Sequence, residues 1–117
     1  MGQIHEGKQI DMELSELRKI RGADEKGHWR DPELATEDGW RQVLSEDGHV
    51  PFVLDGVEYF IFPIGEHSYG MDLWSEAGKN PQPRWQFNSE DEVLSRRLFA
   101  GKSIAERLDD ILAFEGA

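Results

Sequence analysis

The triplet Gly101-Lys102-Ser103 carries the letters that close a phosphate-binding loop. Such a loop needs a glycine five residues before its Gly-Lys, so that successive backbone amides turn inward around the phosphate, and it needs a strand in front. Arg96 holds that glycine position, and the residues before Gly101 have the pattern of a capped helix. The triplet therefore reads as a turn in which Ser103 caps the next helix. The four histidines, His5, His28, His49 and His67, form no His-x-x-x-His or His-x-Glu pair. A metal could be held only by a composite of His28, Asp31 and His49, brought together across the chain. Ser68 beside His67 lacks the Gly-x-Ser-x-Gly elbow of an activated nucleophile, and neighbours on a strand point to opposite faces. The acid runs Asp109-Asp110 and Glu90-Asp91-Glu92 could divide acid and base roles if one member were buried, but helix ends expose such groups. With no cysteine there is neither a thiolate site nor a disulfide. No cofactor or metal is expected.

The elements that must position these residues give an α+β order in one domain over 11–117, after a flexible N-terminus over 1–10. Leu14, Leu17 and Ile20, with early acids, late bases and Gly22 following, predict a helix over 12–21. The polar stretch 23–39, punctuated by Gly27, Pro32 and Gly39, predicts a long connection, and Trp40, Val43 and Leu44 a short helical turn or a first strand. Two apolar runs flanking Asp55-Gly56 predict a hairpin of strands 50–54 and 57–63. Pro51 marks the first as an outer strand; 57–62, apolar on both faces apart from Glu58, should be central. Alternation predicts further strands over 69–74 and 84–87, giving an antiparallel meander of three or four strands. Capping boxes at Ser89-Glu92 and Ser103-Glu106 predict two C-terminal helices over 90–98 and 104–114. The strand aromatics Tyr59, Phe60, Phe62, Trp74, Trp85 and Phe87 are expected in the core.

Charge narrows the function. The net charge is −11, with twelve acids against seven bases in 1–49 and twelve against six in 50–117. A chain this acidic repels nucleic-acid phosphates and anionic lipid, which excludes direct nucleic-acid or membrane binding and favours a basic protein partner. The N-terminus lacks the order of a secretory signal, so the expected location is the cytoplasm. In charge and size the chain resembles the small acidic accessory proteins of bacteria and their mobile elements, among them immunity proteins and phage-encoded inhibitors. That resemblance transfers no residue. The expectation is a non-enzymatic protein-binding domain whose contact set is Trp29, Asp31, Glu33, Glu37 and Asp38, the tryptophan anchoring and the acids steering. The rival is a small enzyme or metal-binding protein using His28 and His49.

Overall fold

The computed structural model describes residues 26–115, an α+β fold built on a five-stranded antiparallel sheet. The strands are β1 (Val50–Leu54), β2 (Val57–Pro63), β3 (Tyr69–Leu73), β4 (Trp85–Phe87) and β5 (Leu112–Ala113), in the order β4-β3-β2-β1-β5. Its helices are α1 (Glu37–Glu46) and α2 (Glu90–Ser95), with 3-10 turns at Pro32–Leu34, Trp74–Glu76 and Leu108–Asp110. Among the described residues no helix is long and apolar enough to cross a membrane.

The hairpin forms where the sequence places it. Asp55 and Gly56 both take positive φ, 54° and 79°, the geometry that lets a two-residue turn match the twist of its strands. Register then sorts the side chains: Val50 faces Ile61 and Phe52 faces Tyr59, while Ile61 faces Met71 and Tyr69 faces Phe87. These residues form one face of the sheet, and α1, α2 and the segment 99–111 bury it. Trp40 and Phe52, both fully buried, meet edge to face at 5.3 Å, and Phe99 packs against Phe52 and Tyr59. The Tyr69 hydroxyl oxygen lies 3.1 Å from the Leu44 carbonyl, which brings α1 against β3, and Arg41 pairs with Asp91 between the helices.

Several boundaries differ from the sequence expectation. The helix and flexible terminus expected over 12–21 and 1–10 lie outside the described residues. Most of the expected connection over 23–39 is ordered, because Gly39 does not break α1 but lets it form. A Cβ there would lie 2.0 Å from the Glu33 carbonyl oxygen, so only glycine lets the helix approach the preceding turn this closely. Thr36 caps α1 by accepting from the Gly39 N–H, and Trp40 Nε1 donates to the Leu34 carbonyl. The helix expected over 90–98 stops at Ser95, where Arg96 turns to extended backbone and sends Leu98 and Phe99 into the core. The strands expected over 69–74 and 84–87 are one residue shorter, since Trp74 opens a 3-10 turn and Arg84 stands just before β4.

The helix expected over 104–114 is absent. Ser103 and Glu106 do form their capping box, Oγ accepting from the Glu106 N–H and the Glu106 carboxylate from the Ser103 N–H. The Arg30 guanidinium then donates through Nη1 into the cluster of Leu108, Asp109 and Ile111 carbonyls, groups that a continuing helix would use for itself. The chain past Ile111 becomes β5 on the free edge of β1, so β1 is an inner strand and the expected meander gains a fifth member. The β5 ladder pairs Phe52 and Val53 and ends before Pro51, which has no N–H to give it.

Candidate functional site

Alternation along β2 sends Tyr59 and Ile61 toward the helices and Glu58, Phe60 and Phe62 to the opposite face. The core aromatics therefore divide. Phe87 is buried and Tyr59 and Trp85 pack against the core, but Phe60, Phe62 and Trp74 lie half-buried on a face that carries neither helix. Their rings form a chain with centroids 5.7 Å apart from Phe62 to Phe60, 5.3 Å from Phe60 to Trp74 and 5.5 Å from Trp74 to Phe114. His49 leans on Phe60 at 5.9 Å, and Ile64 beside them is 45% exposed. Packing of this kind on a surface presents apolar area with defined shape.

A cavity of about 380 Å³ opens on this face, walled by Phe60, Phe62, Ile64 and Pro83, with Asp72 and Asn80 lining it. Gly70 sets the wall: a Cβ there would come within 2.7 Å of Pro83 and 2.9 Å of Phe62, so both side chains rest directly on its backbone. Asp72 is opposite Phe60 in register and only 3% exposed. Its Oδ1 accepts from the Arg84 N–H at 2.7 Å and from the Asn80 amide at 3.4 Å. Oδ2 has no hydrogen-bond partner among the described residues. The Arg84 guanidinium turns instead to Glu76, donating to both carboxylate oxygens. That bond holds the Glu76 carboxyl below the usual carboxylate range.

The expected contact residues fall in different places. Trp29 is 9% exposed and packs in the core, so its ring is withdrawn from any partner. The cause is local: its N–H donates to the Ala113 carbonyl at 3.0 Å and its carbonyl accepts from the Ala113 N–H at 2.7 Å, which seats it on the outer edge of β5. Asp31 caps the first 3-10 turn and lines a cavity of about 140 Å³ with His49, Pro51 and Phe114, next to the aromatic chain. Glu33 is exposed in that same 3-10 turn, and Glu37 and Asp38 are exposed in the first turn of α1, where the helix dipole favours acids.

His28 and His49 line different cavities, and no group of three metal-binding side chains occurs among the described residues. His28 is 3% exposed, its Nε2 2.9 Å from Glu58 Oε2. Around Gly101, Ala100 and Gly101 both take positive φ and Phe99 and Lys102 exchange backbone hydrogen bonds, so the triplet sits in a tight turn with no phosphate cradle. Sequence reasoning missed the face of Phe60, Phe62 and Trp74. The signal was present in β2, where both phenylalanines share the parity of Glu58.

Comparison of the chain with protein-family models, with curated proteins and with solved structures found no match.

Proposed function

We propose that this chain is a non-enzymatic, acidic protein-binding domain that docks a basic partner on the second face of its sheet, an immunity-type or inhibitor protein of a bacterial or mobile-element system being its sharpest form. The observation that supports the reading is the chain of half-buried rings on the sheet face that, among the described residues, carries no helix, beside Asp31. Aromatic side chains in such a position anchor interfaces, and carboxylates around them set the on-rate and exclude acidic partners. Charge supports the choice of partner. Every described arginine is engaged internally, five by carboxylates and Arg30 by backbone carbonyls, which leaves the excess carboxylates to face outward. Asp31, Glu33, Glu37 and Asp38 supply the steering, and Phe60, Phe62 and Trp74 take the anchoring part expected of Trp29.

The test is the affinity of the partner recovered with the native protein, measured at low and high salt for the wild type and for Phe60→Ala. Affinity falling as salt rises, and falling about tenfold or more with Phe60→Ala, is the expected pair of results. Affinity indifferent to both removes the reading.

A second reading has one specific observation behind it. Buried His28 and the partly exposed Glu58 paired with it border cavities of about 360 and 340 Å³, an arrangement in which a carboxylate could orient an imidazole for acid–base work. Divalent metals added during thermal unfolding discriminate. A rise of several degrees that His28→Ala abolishes favours this enzyme or metal reading, and no rise favours the binding domain.

A further inference from the structure

We infer that the cavity between Phe60, Phe62 and Pro83 is the receptor for one lysine side chain of the basic partner, with the ammonium on Asp72. This deepens the binding reading above and rests on it.

A carboxylate that is 3% exposed and has one oxygen without a hydrogen-bond partner among the described residues is costly unless a donor arrives. The cavity it lines is the route by which a donor reaches it. The occupant must therefore be cationic at its tip and apolar along its length. Lysine and arginine both qualify at first, and the carboxylate chooses between them. Oδ1 already accepts the Arg84 N–H and the Asn80 amide, so the two-pronged grip that a guanidinium seeks is closed. Oδ2 suits a compact ammonium, which binds as a point charge with rotatable donors. The four-carbon stem of lysine would lie along Phe60, Phe62 and Ile64, the apolar walls of the cavity. The two phenylalanine rings, 5.7 Å apart, add attraction between the cation and their faces. Ile64, 45% exposed at the rim, gives the residues flanking the lysine an apolar ledge.

The probe is the blocked tripeptide acetyl-Gly-Lys-Gly-amide, titrated into the full chain and followed by the amide resonances of Phe60, Phe62, Gly70 and Asn80. Saturable shifts confined to these residues are expected. The same peptide with arginine, norleucine or acetyl-lysine in place of lysine should bind about tenfold more weakly or worse, since each loses the charged hydrogen bond or its fit. Asp72→Asn should abolish saturation while leaving Oδ1 its acceptor role. Gly70→Ala, which displaces Phe62 and Pro83 but keeps the carboxylate, should weaken the lysine peptide without changing the charge. If Asp72→Asn does not fold, the acetyl-lysine comparison on the wild type decides alone. Shifts spread over Glu33, Glu37 and Asp38 and unchanged by Asp72→Asn would overturn the inference while leaving an acidic binding domain intact. Failure of the recovered basic partner itself to respond to salt or to Phe60→Ala would remove the parent reading instead.

Discussion

Single residues decide how closely this chain can pack. Gly39 is the sharpest case, because the atom it lacks would fall inside the Glu33 carbonyl. Gly39→Ala should destabilise the fold by about 1–3 kcal/mol, the usual cost of forcing an extra carbon into a packed contact, read by chemical denaturation. The pair Tyr69–Glu90 makes a pH prediction of two signs. The Tyr69 hydroxyl donates to the Glu90 carboxylate, which lowers the glutamate's pKa, and burial followed by that same bond raises the tyrosine's. A lowered acid stabilises above its unfolded pKa, about 4.3, and that stability is lost as pH falls through the folded value. A raised tyrosine stabilises fully below its unfolded pKa of about 10, and the contribution fades as pH climbs beyond it. Thermal midpoints across pH should therefore show an acid limb that Glu90→Gln flattens and an alkaline limb that Tyr69→Phe flattens. None of this was readable beforehand. The sequence marks Gly39 as a breaker, and its true reason is a contact with a residue six positions earlier.

Whole elements were legible where local chemistry and tertiary packing agree. Asp55-Gly56 and the flanking β-branched and aromatic runs specify β1 and β2 to the residue. Ser89 and Ser103 both cap as their boxes predict, but only the first leads into a helix. Past Ser103, the stripe Ile104, Leu108 and Ile111 fits a helix, and the decision belongs to groups far away: Arg30 claims three carbonyls and β1 offers an unpaired edge. A two-residue strand made by such an edge has no signature of its own. Ala113→Pro tests its weight, since it deletes the N–H donated to the Trp29 carbonyl. A loss of about 1–3 kcal/mol is expected, with Trp29 fluorescence moving toward that of a solvated indole. Phe52→Ala removes the ring that joins Trp40, Tyr59 and Phe99 and should cost about 3–5 kcal/mol.

At the scale of the molecule, the two faces of one sheet are built differently. One is sealed by α1, α2 and the 99–111 segment; the other carries neither helix and holds Phe60, Phe62 and Trp74 half-buried, a division that strand parity makes visible only once a helix-bearing side is known. The six described arginines are all held by carboxylates or backbone carbonyls of the same domain. If acidic side chains steer a basic partner as proposed, raising salt from about 0.05 to 0.5 M should slow association while leaving dissociation nearly unchanged. Trp29 and Ala113 join the two ends of the described chain in an antiparallel bridge. Residues 26 and 115 thus leave the bridge from the same side, so tension between them peels hydrogen bonds one at a time instead of shearing them together. A pull applied at these two residues meets a seam that opens in series, and single-molecule extension between them should find this domain soft along that axis.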